Sequence, residues 1–401
     1  MKENKMNILY LEQQPCIRAL KYAIGLKKSD DYRLVFGYSG RTLTDLYGEG
    51  DELFDRWEHI DLNDNSLLEL ILSEKFDLIH SHNAPDFLTA KAIGLVNKYD
   101  INIPVIQDNH DVISMRQTLY SAHPDFNQKS ALEAEYVANT FADAKINVTS
   151  GLGKYVQNKY AHFSGPEITF NNYVPQELIP YKFKEKLSAR DHQLHLVYEG
   201  TIDPTSSGGH YDLLSIFSQI ASQGIHIHIY TTRDVPNYNT LAKNNQFVHF
   251  HGKVSSRALL YEITQYDFGW AGFNTEKNKT HLDVVLANKV MEYIVAGLPV
   301  ITLDHKTQKE FLKKTGLGIT VNSIADLNET LEKVDIDLLN QKVMSVRENY
   351  TVEGNISHLI DFYRIVIDKN RHDKEKTFSR SRIKNILHTD LDYHFVPIEI
   401  L

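Results

Sequence analysis

The stretch NKVMEYIVAGLPVITLD, residues 288–304, decides how this chain is read. It joins a short helical pattern, a stop at Gly297, a restart at Pro299 and an apolar strand running to Asp304. A helix followed tightly by a buried strand is the unit from which helix-covered parallel sheets are built. Asn288 and Glu292 are four apart, and Lys289 and Glu292 three apart, so the polar groups share one helical face near its start; Val290, Met291, Ile294 and Val295 cover the rest. A surface face with a Lys289–Glu292 ion pair explains the pattern. So does a ligand site in which the carboxylate accepts hydrogen bonds from vicinal ribose hydroxyls, while the helix start and Lys289 favour a phosphate.

Outward from this unit, strand-like runs alternate with helical patterns along almost the whole length. MNILYLE (6–12), YRLVFGY (32–38), FDLIHSH (76–82), IPVIQD (103–108) and AKINVTS (144–150) form a first series. LHLVYEG (194–200), IHIHIY (225–230), FVHFHG (247–252), YDFGWAG (266–272), LPVITL (298–303) and LGITVN (317–322) form a second. Between them, Pro175, Pro180 and a charged stretch from Lys182 to Asp191 break the periodicity, as a linker does. The fold class expected is α/β with two facing Rossmann-like, doubly wound domains and an interdomain cleft. Their bounds are set at 1–180 for the N-terminal domain and 192–351 for the C-terminal domain. Residues 352–401 then supply a C-terminal helix and basic tail, packing back on the first domain.

Composition limits the function classes. The 401 residues are 42% hydrophobic and 24% charged, ample for two cores. A net charge of -9 argues against a nucleic-acid binder relying on overall basicity. The single cysteine, Cys16, excludes an intramolecular disulfide framework and is read as a small apolar filler. No apolar run approaches the roughly 20 residues of a membrane span, and the first residues lack a signal peptide's apolar stretch, so a cytoplasmic location is expected.

NKVMEYIVAGLPVI resembles the donor-nucleotide segment of GT-B glycosyltransferases, especially the group containing family 4, whose pattern here is Lys-x-x-Glu-(Ala/Tyr)-x-x-x-Gly-x-Pro-Val. VHFHGKVSSRALLYEITQYDFGWAG resembles the segment preceding it. DLIHSHNAPDFLTA, IPVIQDNHDVISMR, EAEYVANTFADAKINVTSGLGKYV and ITFNNYVP resemble N-domain segments of the same group, so the resemblance covers roughly residues 6–350. It implies that Glu292 holds the ribose of a nucleotide-sugar donor, with Asn288 and Lys289 beside it. It also implies transfer of a sugar to a hydroxyl of a glycan or lipid-linked acceptor in surface-polysaccharide or glycoconjugate synthesis. No cofactor and no metal are expected.

Two positions depart from that pattern. Retaining members often carry a second Glu eight positions before the first; here Val284 stands there, with Asp283 next to it. Many members also have an Arg and a Lys after the first C-domain strand, whereas this chain has YEGTIDPTSSGGHYDLL. Thr201, Ser206, Ser207, Gly208 and Gly209, ahead of a helix expected near His210, are candidates to cradle the donor phosphates instead. A turn with an N-cap explains the same residues. Lys253 and Arg257 are candidate compensating cations or plain surface charges.

On the N-domain, DNHDVISMR follows a strand end and puts Asp108, His110, Asp111 and Arg116 on an expected cleft-facing loop. If configuration inverts, His110 or Asp111 suits the base that takes the acceptor proton. If it is retained, the leaving phosphate takes it. His80 and His82 are placed beside the acceptor pocket or in loop hydrogen bonding. His226 and His228 share a strand face but lack a third ligand nearby in sequence, so they are read as no metal site. The run RHDKEKTFSRSRIK is read as a solvated tail, with peripheral contact to anionic membrane lipid as the alternative. A homodimer is left open. The alternatives to a glycosyltransferase are a nucleotide-sugar 2-epimerase of the same fold and a noncatalytic glycosyltransferase-like partner subunit.

Overall fold

A computed structural model describes residues 5–61, 63–82, 84–119, 126–203, 208–232 and 235–372. Two compact units emerge, one from Met1–Asn171 with Ile356–Leu401, the other from Asn172–Asn355.

The first unit is built on seven parallel strands: β1 (Met6–Leu11), β2 (Tyr32–Tyr38), β3 (Arg56–His59), β4 (Leu78–His82), β5 (Val105–Asn109), β6 (Ala144–Asn147) and β7 (Glu167–Thr169). Their order across the sheet is β3-β2-β1-β4-β5-β6-β7. Ile8 lies opposite both Leu34 and Leu78, so β1 is central and its residues 8–11 are wholly buried. Two faces covered by helices explain the near-continuous apolar character of β1 and β4. The edge strands β3 and β7 escape the sequence reading because RWEH and EIT stay half-exposed and carry charge, as unpaired sheet edges do.

The second unit repeats the plan with six strands, β8 (His195–Glu199), β9 (His226–Tyr230), β10 (Val248–Gly252), β11 (Phe268–Trp270), β12 (Val300–Thr302) and β13 (Gly318–Thr320). The order is β10-β9-β8-β11-β12-β13, every pairing again parallel. Both sheets reverse their winding beside their first strand, between β1 and β4 and between β8 and β11. In such sheets ligands bind outside the strand carboxyl ends at that reversal.

Close packing of one helix on the second sheet depends on a missing side chain. The helix Asn288–Val295 lays the Tyr293 ring flat on β11, where a Cβ on Gly269 would come within 2.1 Å of that ring. The Tyr293 hydroxyl then accepts from the Glu199 N–H at 3.0 Å and donates to the Trp270 carbonyl at 3.3 Å. One side chain thus ties the helix to both strands at the reversal. The long helix Val352–His372 closes the described chain. Among the described residues no helix is long and apolar enough to cross a membrane.

Candidate functional site

At the β8/β11 reversal the carboxyl end of β8 delivers Glu199 and Gly200, and the helix Asn288–Val295 delivers Lys289. Gly200 has φ +122°, a backbone region that L side chains avoid, and a Cβ there would stand 3.2 Å from Lys289 Nζ. The ammonium lies over the rings of Tyr198 at 4.0 Å and Phe273 at 4.8 Å. Burial pushes Lys289 down to about 8, opposed by the nearby carboxylates of Glu199 and Glu292, which favour its charged form. Asn288 and Glu292 stay half-buried on the same helix, and Asn288 Oδ1 has no hydrogen-bond partner among the described residues. A buried cation at a strand end, flanked by an amide and a carboxylate four apart, is arranged to meet an anionic polar ligand.

The other donor-side residues sit differently. The Thr201 carbonyl accepts from the Tyr198 hydroxyl at 2.5 Å. Ser206 and Ser207 lie outside the described residues. Gly208 has φ +70°, donates its N–H to Asp212 Oδ2 at 3.2 Å, and faces the Glu276 carboxylate, 2.7 Å from where a Cβ would stand. Its neighbour Gly209 accepts from the Asp212 N–H, and the helix begins only at Leu214, not near His210 as the pattern suggested. The closed turn through Asp212 delays it. His210 is buried against Asn278, whose Nδ2 is 3.2 Å from His210 Nδ1. Asp283 pairs with Lys279 at 2.9 Å and accepts from the Lys306 N–H. Lys253 is exposed just past β10, and Arg257 pairs with Glu177 at 3.1 Å. His305, which no sequence signal singled out, is fully buried after β12. Its Nε2 accepts from the Phe273 N–H at 3.0 Å, and its Nδ1 has no partner among the described residues.

In the first unit the β1/β4 reversal brings Glu12 and His82 together. His82 Nδ1 lies 3.3 Å from Glu12 Oε1 and 3.8 Å from Cys16 Sγ, while Nε2 has no hydrogen-bond partner among the described residues. With Nδ1–H donated to Glu12, Nε2 is the basic nitrogen of a carboxylate-oriented imidazole. Burial pushes His82 well below its ordinary value, and burial and Glu12 push the Cys16 thiol well above its own, so both are neutral. The His110 ring stands edge-on to His82 with centroids 5.8 Å apart, and burial lowers it too. Asp111 accepts from the Val112 N–H at 2.9 Å and from Arg116 at 3.4 Å.

Two sequence placements are corrected here. Asp108 is no loop residue; it ends inside the sheet, fully buried, held by Arg18 at 2.9 Å, by the Tyr22 hydroxyl at 2.5 Å and by His80 Nε2 at 3.2 Å. Burial alone would raise its carboxyl, but Arg18 and His80 outweigh burial and hold it far below the usual carboxylate range. His80 points along the same strand face as His82 yet sits deeper, its Nδ1 2.6 Å from the Tyr363 hydroxyl, which in turn lies 3.0 Å from that of Tyr10. This group is a core network. Glu12 and Glu199 escaped the sequence reading because each gains meaning only from a partner set by sheet order.

Comparison with known proteins agrees with this architecture. Residues 209–352 match the family model described as "Glucosyltransferase 3-like, C-terminal domain". "Glucosyltransferase 3" of Streptococcus gordonii is 26% identical over 104 residues, a match spanning 25% of this chain and 31% of that protein's length. Among solved structures, sucrose-phosphate synthase from Thermosynechococcus elongatus superposes with a TM-score of 0.67 at 12% identity, covering 91% of this chain and 100% of that one. Anabaena HepE in complex with UDP-glucose gives 0.61 at 13% identity, covering 89% and 99%. The fold is GT-B, as the resemblance implied.

Proposed function

We propose that the chain is a glycosyltransferase that moves a hexosyl or related sugar from a nucleotide-sugar donor, bound at the second unit, to a hydroxyl of a glycan or lipid-linked acceptor. The observation that carries this reading is Lys289, buried beside the Gly200 backbone with Asn288 and Glu292 on its helix. Glu292 holds the ribose hydroxyls, and Lys289 with the Gly200–Thr201 backbone meets the donor phosphates. As the anomeric carbon–oxygen bond breaks, the electron pair and negative charge pass to the leaving phosphate, and a preformed cation stabilises that charge where it develops. Lys289 takes the place of the missing basic pair, so transfer proceeds without a divalent ion.

The acceptor proton has two routes. His82, oriented by Glu12, takes it through Nε2 if configuration inverts, with His110, Asp111 and Arg116 as acceptor contacts; the leaving phosphate takes it if configuration is retained. Anabaena HepE is found in complex with UDP-glucose, which makes uridine nucleotide sugars the first donors to try. Product analysis with a nucleotide-sugar panel, with and without acceptor and chelator, tests the reading. Sugar transfer that survives chelation supports it. Isomerised donor without acceptor would instead mark a 2-epimerase, and no donor binding at all a noncatalytic subunit. Surface-polysaccharide or glycoconjugate synthesis on the cytoplasmic side of a membrane is the setting this chemistry fits.

A further inference from the structure

The opposite edge of the second sheet carries a group of histidines that donor chemistry does not use. His195 opens β8, His226 opens β9 with His228 two residues on, and His249 and His251 lie on β10. All five project from one face, because the period of two keeps alternate residues together and His228 is registered between Val197 and His249. Sheet order therefore supplies the ligands that the isolated His226–His228 pair lacks in sequence. His195 Nε2 lies 3.0 Å from Asp191 Oδ2, and His226 Nε2 lies 3.9 Å from the same oxygen and 2.7 Å from Gln193 Oε1. The His195 and His226 rings are stacked, 4.4 Å apart and within 4° of parallel. The donor atoms of Asp191, His195 and His226 all fall within 4.8 Å of one another.

We propose that Asp191, His195 and His226 form an open three-ligand site for a zinc-class divalent transition metal ion, with His228, His249 and His251 as its outer shell. Metal–ligand bonds of about 2.0–2.1 Å at tetrahedral angles require ligand atoms about 3.3 Å apart, so shifts of up to about 1.5 Å close the site. Each ligating ring already has the outer partner that such sites use. His195 Nδ1 is 2.9 Å from His228 Nε2, His228 Nδ1 is 2.9 Å from His251 Nε2, and His226 Nδ1 is 2.8 Å from His249 Nε2. With Nε2 of His195 and His226 on the metal, each Nδ1–H donates to the next ring, an order that also requires the Gln193 side chain to turn its Oε1 away from His226 Nε2. Asp191 keeps 40% of its side chain exposed, which leaves an entry path and an open coordination position. From His195 to Glu199 the strand runs about 13 Å, so this ion stands apart from the donor site and ties β8, β9 and the turn before them together.

Cobalt(II) titration of the full chain tests the site, with zinc as competitor and the urea unfolding midpoint as second readout. We expect one saturable equivalent with the visible absorption of a four- or five-coordinate ion, displaced by zinc, and a zinc-raised midpoint. Asp191→Asn, at an exposed position that leaves the core intact, and His226→Gln should each weaken binding at least 10-fold and cancel the midpoint shift. Cys16→Ser should leave cobalt binding unchanged, which separates this site from the Glu12–Cys16–His82 group. Absence of saturable binding overturns the proposal, and so does undiminished binding in Asp191→Asn.

Discussion

Replacing Lys289 with methionine should stabilise the second unit while it weakens nucleotide binding. Methionine conserves the stem that lies against Tyr198 and Phe273 and removes only the ammonium. Burial lowers Lys289 from 10.5 to about 8, and at about 1.36 kcal/mol per tenfold the charged form costs the folded state an order-of-magnitude 3 kcal/mol at pH 7. The sign follows from proton binding. Below pH 8 both folded and unfolded chains carry the proton, so the cost is full; between 8 and 10.5 the unfolded chain holds more protons, and wild-type stability rises with pH. The advantage of Lys289→Met should therefore shrink across that window and be small above it. Trp57 and Trp270 are the two tryptophans, one in each unit, so in a Trp57→Phe background urea transitions followed by Trp270 fluorescence report on the second unit. A bound diphosphate should keep Lys289 charged, so UDP binding takes up a proton near and above pH 8 and weakens roughly tenfold per pH unit beyond it. Calorimetry in buffers of different ionisation enthalpy counts that proton. A Lys289→Met chain less stable than wild type at pH 7, or a gap unchanged at pH 10, would refute the argument that burial strains this ammonium. Proton uptake absent from the wild type would remove it from the phosphate site.

Glu292→Ala should weaken UDP at least tenfold in calorimetry, since charge-assisted ribose hydrogen bonds are worth roughly 1.5–3 kcal/mol each. At its half-exposed position the unfolding midpoint should hardly move. Asp108→Asn leaves Arg18 buried without its counter-ion and should cost the first unit about 3–5 kcal/mol, most of it recovered in Arg18→Met/Asp108→Leu; hydrogen exchange at β1 and β4 reads the change. Because the Asp108 carboxyl is depressed on folding, that stabilisation is full above about pH 4 and is lost as pH falls below it. His82→Gln and Glu12→Gln should each lower kcat far more than they raise the donor KM; equal effects on both would make the pair a donor contact.

The strands that the sequence revealed are those with apolar runs, the inner strands of both sheets together with the uncharged edges β10 and β13 of the second. β1, β2, β4 and β6, and all six strands of the second sheet, fall inside the apolar runs, and β5 passes its run by Asn109 alone, although β11, β12 and β13 keep only three residues each. β3 and β7 stayed hidden because an edge tolerates charge. The face of Asn288, Lys289 and Glu292 was legible because helical spacing is local. Lys289 beside Gly200, Glu12 beside His82 and the five-histidine face were not, since register between strands that are far apart in sequence creates each of them. Asp108 shows the converse. A polar run after a strand looks like a loop until Arg18, 90 residues earlier, is found against it.

The helix Val352–His372 has a consequence for the order of synthesis. Tyr363 satisfies the buried His80, 283 residues before it in the chain, and the whole Asn172–Asn355 unit is translated between them. A ribosome thus releases all seven strands of the first sheet, then a complete second unit able to close on its own contacts, before the hydroxyl that finishes the first core emerges. During that interval His80 and Tyr10 wait beside Asp108 without their last partner, and the earlier-made half of the protein is the later to mature. Nascent chains stalled short of residue 363 are expected to hold a protease-resistant second unit on a first unit that is still cleavable.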